Sequence, residues 1–249
     1  MTAHGKVALI TGANKGLGKE TARRLGRLGM IVLIGARDPG RGEAAAEELR
    51  AQGIDARAIT IDVTDRSTIE RARDRIERQF GRLDVLINNA GISLEIAEPR
   101  PPSQTPVDAL RRTYETNVLG GIAVTNAMVD LLRCSPAGRV VNVSSERGSK
   151  GQWCDPESPL RRFSFTMLGY DTSKAALNAA TVHYALELQA TPIKVNAAAP
   201  GFVATDGSLH RGLMKVEDEG SVAAIVRLAT LPDDGPTGEF HSAAGPVPW

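Results

Sequence analysis

The sequence predicts a single α/β domain built on a doubly wound parallel sheet of about seven strands, with helices on both faces. Three observations carry this. Short β-branched runs alternate with longer amphipathic stretches rich in Ala, Arg and Glu from one end of the chain to the other. The short runs read as continuously apolar rather than alternating, the pattern of strands covered on both faces. No composition break or fixed-period repeat divides the 249 residues, so residues 1–249 read as one domain, a common length for a single α/β fold. Strand–helix alternation with right-handed crossovers then gives the doubly wound arrangement.

The strands are expected at 6–11, 30–36, 57–61, 83–88, 138–144 and 193–198, with a weaker one near 239–242. Helical patterns lie between them at 17–28, 42–52, 66–80, 106–132, 168–188 and 222–231. Two irregular stretches, 93–105 (rich in Pro) and 146–165, each follow a strand. Loops leaving the carboxyl ends of strands are where an open α/β sheet builds its ligand crevice.

Composition narrows the function classes. Lys plus Arg total 30 against 29 for Asp plus Glu, which gives no reason to expect nucleic acid or an anionic membrane as partner. Apolar stretches such as 30–34 are far shorter than the ~20 residues of a membrane span. The first strand follows the N-terminus with no apolar signal region. Cys134 and Cys154 have no metal-ligand or disulfide-like spacing, so two reduced thiols in a cytoplasmic protein without a metal are expected.

After the first strand comes Thr11-Gly12-Ala13-Asn14-Lys15-Gly16-Leu17-Gly18. Glycines here permit a tight turn and close approach of backbone to a pyrophosphate, while the next helix offers its free N–H groups. A glycine-rich turn without a ligand would read similarly, so its weight depends on what accompanies it. The spacing Gly-x-x-x-Gly-x-Gly differs from the usual Gly-x-Gly-x-x-Gly fingerprint. It resembles the turn of short-chain dehydrogenases/reductases, a family with a Rossmann-type fold, and the resemblance implies cofactor contacts from Gly12, Asn14, Lys15, Gly16, Leu17 and Gly18.

The second strand bears on which dinucleotide is bound. An acid at its end holds a ribose 2′-hydroxyl, whereas an arginine accommodates a 2′-phosphate. This strand ends Ile34-Gly35-Ala36-Arg37-Asp38. Ala36 stands where NAD-dependent members of the family carry the acid, and Arg37 follows it. Lys15 would supply a second cation to the same phosphate. NADP(H) is the expected cofactor; a one-residue slip of register would instead put Asp38 near the ribose. The resemblance further implies that Asp62 bonds the adenine amino group, that Val63 packs on the ring, and that Asn89-Ala90-Gly91 runs beside the ribose. Asn88 and Asn89 are also natural turn residues, and a structural share is expected of them.

Tyr170-Asp171-Thr172-Ser173-Lys174 opens a helix, and residues four apart share a helix face. Free tyrosine titrates near pH ~10; a neighbouring ammonium favours the phenolate and moves the group toward the range of effective acid–base catalysis. A Tyr-x-x-x-Lys pair is also a common surface feature. Upstream, Arg139-Val140-Val141-Asn142-Val143-Ser144-Ser145 reads as a buried strand ending in two hydroxyls, one able to bond a substrate oxygen as charge develops on it. By resemblance Ser145 is the catalytic serine and Ser144 structural. Asn117 matches the helix asparagine that helps hold a water linking the lysine to solvent. Pro200, Gly201, Val203 and Thr205 match the stretch holding the nicotinamide amide and a phosphate. The resemblance runs from Thr11 to Trp249, and the ending looks like the carbonyl-reductase-like branch. It implies reduction of a ketone or aldehyde, with the proton from Tyr170 and the ribose held by Lys174.

Ser145 and Tyr170 are 25 positions apart (170 − 145), roughly twice the spacing of common members of the family. The extra residues fall within 151–163. They could form a flap over the crevice, with Trp153 or Phe163 offering apolar contact, or a surface excursion anchored by those aromatics. Longer insertions here resemble those of monomeric carbonyl reductases, so a monomer or small homo-oligomer is expected. The polar loop 206–218 corresponds to the family's substrate lid; His210 within it is given no role. Alternative activities are an alcohol dehydrogenase working in the oxidative direction, possibly with NAD, and a non-catalytic NADP(H)-binding sensor. Sensors usually lack the tyrosine or lysine, and here both stand. The small-molecule carbonyl or alcohol itself is not readable from sequence.

Overall fold

A computed structural model of the chain describes residues 5–96, 98–162, 166–200 and 220–249. The elements run β1 (Val7–Ile10), α1 (Gly16–Arg27), β2 (Ile31–Ala36), α2 (Pro39–Arg50), β3 (Ala56–Thr60), α3 (Arg66–Phe80), β4 (Val85–Asn88) and α4 (Val107–Tyr114). They continue with α5 (Gly121–Arg133), β5 (Arg139–Val143), α6 (Lys150–Cys154), α7 (Leu168–Glu187), β6 (Lys194–Ala198), α8 (Ala223–Ala229), β7 (Phe240–Ser242) and β8 (Gly245–Pro246). The sheet order is β3-β2-β1-β4-β5-β6-β7-β8. All neighbours pair parallel except β7 and β8.

Alternate residues of each central strand feed two cores. Ala8, Ile10, Val32, Ile34, Val85 and Ile87 face α1, α2 and α8. Val7, Leu9, Leu33, Leu86 and Val140 face α3, α5 and α7. This is why the strands are apolar at every position rather than at every second one. Helix ends follow local chemistry. In α3, Ile69, Ala72 and Ile76 form the buried stripe. Asp65 caps its start by accepting from the Ser67 N–H at 2.9 Å, and Gly81 ends it in the left-handed region at φ 67°.

The fold departs from the sequence expectation in four places. The sheet has eight strands, because a two-residue strand turns back antiparallel after β7; so short a pair leaves no periodic signal. The single helix expected over 106–132 is interrupted by a π-helical turn at Glu115–Gly120. Helix α2 begins at Pro39, three residues early, because Asp38 caps it through the Arg41 N–H at 2.9 Å. The stretch 146–165 holds 3₁₀ turns at Glu146–Gly148 and Pro159–Arg162 as well as α6. Among the described residues no helix is long and apolar enough to cross a membrane.

The amino end of the sheet is locked by Asp84, which is 2% exposed. Its carboxylate accepts from the Val7 N–H at 2.8 Å, the Ser135 hydroxyl at 2.6 Å and Arg82 Nε at 3.2 Å. β1, β4 and the turn before β5 are thereby joined at one group. Replacing Asp84 with Ala orphans a buried amide and a buried hydroxyl, each costing ~1–3 kcal/mol. Asp84→Ala should lower the unfolding free energy by about 3 kcal/mol, read from urea denaturation; a loss below ~1 kcal/mol would contradict this role for the carboxylate.

Candidate active site

The sheet order reverses at β1, whose neighbours β2 and β4 lead chain connections to opposite sides, and a crevice opens there at the carboxyl ends of the strands. The glycine turn lies across it. Gly12 sits at φ 64°, and a Cβ there would meet the Ala90 Cα at 3.0 Å. A Cβ on Gly18 would lie 2.5 Å from Asn89 Nδ2 and 2.6 Å from the Gly12 carbonyl. Gly12 needs glycine for its turn conformation, and both positions need it for close packing. Helix α1 has neither a side-chain cap nor an acidic residue in its first turn, so its N-terminal N–H groups and positive end are available to a phosphate.

Asn89 explains how this turn is held. Its side-chain amide donates to the Thr11 carbonyl at 2.8 Å and the Gly12 carbonyl at 3.2 Å. The Thr11 hydroxyl in return accepts from the Asn89 and Ala90 N–H groups, both at 3.0 Å. The structural share expected of Asn89 is thus a clamp between the turns after β1 and β4. Asn88 points into the protein instead, donating to Thr125 Oγ1 at 2.9 Å and Asn142 Oδ1 at 2.8 Å.

At the end of β2, Arg37 is exposed while Asp38 is occupied as the α2 cap. The slip of register that would turn Asp38 toward a ribose is therefore not realised. Lys15, exposed, precedes α1. Asp62 holds its own turn by accepting from the Thr64 N–H at 3.0 Å and hydroxyl at 2.8 Å. Val63 is buried and packs where a Cβ on Gly120 would come within 2.7 Å of it. Pro200 follows β6. Gly201, Val203 and Thr205, together with Phe163 and the loop 206–218, lie outside the described residues.

The four expected catalytic residues come from three elements that meet beyond β4 and β5. Tyr170 and Lys174 share one face of α7, with Lys174 Nζ 5.6 Å from the centroid of the Tyr170 ring. Lys174 is buried and donates to the Val143 carbonyl at 2.8 Å; burial brings its pKa down to about 8. Ser145, just past β5, accepts from the Arg147 N–H at 3.2 Å, and its hydroxyl acts on the Tyr170 phenol to lower its pKa. Asn117 sits in the π-helical turn, a kind of interruption often found at functional sites. Its side chain accepts from the Ile92 N–H at 2.8 Å and donates to the Ile92 carbonyl at 2.9 Å and Ser173 Oγ at 3.0 Å. Gly91 closes the group: a Cβ there would lie 3.3 Å from Asn117 Oδ1 and 3.5 Å from Lys174 Nζ. The missing side chain leaves the lysine face of the crevice open.

Burial pushes the Tyr170 phenol above its ordinary pKa, and Asp171 adds to this; the Ser145 hydroxyl and the Arg147 charge oppose it. The sequence suggested Lys174 as the group that lowers it. In the structure the groups that lower it are Ser145 and Arg147.

Three residues here escaped the sequence reading. Arg147 and Asp171 form a buried two-pronged ion pair, Nε to Oδ1 at 2.7 Å and Nη2 to Oδ2 at 2.9 Å. Glu95, also buried, accepts from the Gly169 and Tyr170 N–H groups at 3.1 and 2.9 Å, capping the start of α7 from the loop after β4. The only sequence signal was an acid directly after Tyr170 and an arginine two residues after Ser145. The 24 positions between them hide the pairing.

The described part of the extra segment, 151–162, folds down onto this cluster, in keeping with an anchored excursion. Trp153 donates its indole N–H to the Arg147 carbonyl at 2.7 Å, and the Arg147 guanidinium lies 5.2 Å from the centre of its ring. Both cysteines are exposed and unbridged.

Comparison with known proteins gives the same picture. The family model of short chain dehydrogenases matches residues 6–212. Carbonyl reductase (NADPH) 1 of Homo sapiens is 33% identical, the alignment covering 98% of this chain and 98% of that protein. Short-chain dehydrogenase/reductase 1 of Saponaria officinalis is 32% identical over 99% and 97% of the two chains. Among solved structures, salutaridine reductase from Papaver somniferum superposes with a TM-score of 0.78 at 28% identity, covering 94% of this chain and 99% of that one. An NADPH-bound carbonyl reductase from chicken fatty liver shares the fold at a TM-score of 0.85 and 24% identity, over 99% and 100% of the chains.

Lysine-selective ¹³C NMR should find one lysine titrating near 8, far below its usual 10.5. That resonance should vanish in Lys174→Arg. The folded chain binds its proton less readily than the unfolded one, so this lysine adds stability as pH rises from about 8 toward 10.5. A Lys174 signal titrating at the ordinary lysine value would refute the buried setting.

Proposed function

The chain belongs to the short-chain dehydrogenase/reductase family, in its carbonyl-reductase-like branch, and from that premise we propose that it reduces a small ketone or aldehyde to the alcohol with NADPH. One observation carries the reading: Ser145, Tyr170, Lys174 and Asn117 converge beside the open face at Gly91, next to a phosphate-ready helix end.

The residues present fit a phosphorylated dinucleotide. The turn 12–18 and the start of α1 would hold its pyrophosphate, and Arg37 with Lys15 its 2′-phosphate. Asp62 and Val63 would flank the adenine, 89–91 the ribose beside it, and Lys174 the nicotinamide ribose. Pro200 would lead into the stretch that holds the carboxamide. NADPH, when bound, supplies the hydride for the carbonyl carbon.

The chain's own work is at the oxygen. The Ser145 and Tyr170 hydroxyls donate to it, so negative charge developing there is met by donors already in place. Tyr170 then gives that oxygen its proton. A phenol held above its ordinary pKa by burial stays protonated at neutral pH, which suits an acid in the reducing direction. The Ser145 hydroxyl, which lowers the phenol's pKa, steadies the phenolate left behind. Lys174, charged below about pH 8, lies beneath the ring to hold the nicotinamide ribose, while the clamp of Asn117 on Ile92 keeps Gly91 beside it.

A panel of aldehydes, ketones and quinones, followed at the NADPH absorbance, tests the activity. Tyr170→Phe should reduce turnover by about 1000-fold, consistent with the loss of a positioned proton donor, while NADPH binding by fluorescence stays within about twofold. Retained turnover would sink the mechanism. Arg37→Glu should weaken NADPH binding about 100-fold, the scale of a lost charge-assisted contact, and leave NADH nearly unchanged; equal losses would exclude Arg37 from a 2′-phosphate site.

A further inference from the structure

Arg147 occupies an unusual place for a guanidinium, being only 5% exposed. A buried charge is costly unless it is paired and hydrogen-bonded. Here the partner is Asp171, met in the two-pronged geometry that arginine provides and lysine does not. Asp171 is fixed further by accepting from the Met167 N–H at 3.2 Å, one turn back at the head of α7. Trp153, from the extra segment, covers the guanidinium and bonds the Arg147 carbonyl. Ser145 accepts from the Arg147 N–H. The pair therefore touches both residues that hold the substrate oxygen, one through the backbone of the turn after β5 and the other through its immediate neighbour on α7.

Resting on the reading of Tyr170 as the proton donor, we propose that Arg147 is a positioning residue for it. Paired with Asp171 and covered by Trp153, it joins the extra segment to the catalytic turn and sets how readily the phenol releases its proton.

The surroundings leave this pair in control. Among the described residues, the charged groups around Tyr170 are Asp171 and Lys174 on its own helix, Arg147 on the turn after β5 and Glu95 from the loop after β4. Glu95 is committed to the backbone at the head of α7. Lys174 lies under the ring rather than beside the hydroxyl and is turned to Val143. On α4, which packs against α7, Asp108 and Arg111 pair with each other. Glu146, beside Arg147, is raised in pKa by burial alone. Asp171 and Arg147 act on the phenol in opposite senses, the acid raising its pKa and the base lowering it, and their pairing keeps the two in balance. The segment that lengthens the spacing before Tyr170 thus belongs to the site's electrostatics, because Trp153 keeps water from one side of the arginine.

Opposite charges make a signature that a merely structural role lacks. In the oxidation of the alcohol formed from the best carbonyl substrate, Tyr170 must start deprotonated, so the acid limb of the rate–pH profile reports its pKa. At the alkaline pH of that limb Asp171 is ionised. Arg147→Gln should move the limb up by about 1 pH unit and Asp171→Asn should move it down by a similar amount, the scale expected of a nearby charge. Arg147→Lys, which keeps the charge, should recover at least half the shift, with the cofactor Kd within about twofold throughout. Unmoved limbs, or shifts of the same sign, in variants that keep wild-type circular dichroism would overturn the proposal. Should Arg147→Gln not fold, the nearly isosteric Asp171→Asn decides through its downward shift alone. Tyr170→Phe separates the layers. If it retains turnover, the reading of Tyr170 fails and the inference with it. If it is inactive yet binds NADPH, unmoved limbs overturn only the role of Arg147.

Discussion

The positions of Asn117, Ser145, Tyr170 and Lys174 depend on a short ladder of buried amides and hydroxyls across the centre of the sheet. Asn88 on β4 and Asn142 on β5 are register partners. The first donates to the second at 2.8 Å, and Asn142 donates on to Thr181 of α7, also at 2.8 Å. Asn88 donates as well to Thr125 of α5 at 2.9 Å. All four side chains are buried, so each bond is made without competing water and each lost partner would leave an unpaired polar atom. The ladder fixes the two helices that matter. Lys174 lies seven residues before Thr181, two turns along the same helix, and Asn117 lies eight before Thr125, in the π-helical turn that leads into α5. An apolar contact tolerates sliding; a hydrogen bond of fixed length does not. The sheet ends and helix ends therefore meet in one arrangement.

Much of this was legible in the chain because the informative features are local. Apolar strands read as runs, the glycine turn as a spacing, and Tyr170 with Lys174 as one helix face. What was hidden is relational. Asp38 looked like a possible ribose ligand because sequence does not say that a helix starts at Pro39, where an acid at the preceding position is taken up by capping. The break in the helix over 106–132 is marked in the sequence only by the pair Gly120-Gly121 at its far end, and Asn117 itself fits a helix as readily as a π-helical turn. Glu95 sat in a Pro-rich stretch that read as loop, yet its carboxylate caps a helix 74 positions later. Such pairings exist only after the fold has formed.

The site also shows how burial distributes work among residues of similar charge. Lys174 and Arg147 are both cations within reach of Tyr170, and a reading by type would give them the same task. Their environments separate them. Among the described residues the lysine's hydrogen-bond partner is a backbone carbonyl, and desolvation weighs on its ammonium and brings it to about 8. The arginine is matched by a carboxylate through two bonds and keeps its charge. A lysine poised near neutrality can exchange protons; an arginine cannot and acts as a fixed field.

That division bears on why the chain between Ser145 and Tyr170 is long. A buried arginine so near Tyr170 needs a roof, because water reaching it would screen the charge and loosen the pair with Asp171. Trp153 provides that roof with a single side chain, its ring over the guanidinium and its N–H on the Arg147 carbonyl. To come down in this position the chain must first turn away from β5, and Ser149 starts that excursion by capping α6 through the Gln152 N–H at 3.0 Å. Leu160, also buried, anchors the return. A spacing half as long would have no residues for this descent. The extra segment is then the physical counterpart of a permanent positive charge, dry and oriented, paired with the acid that follows Tyr170.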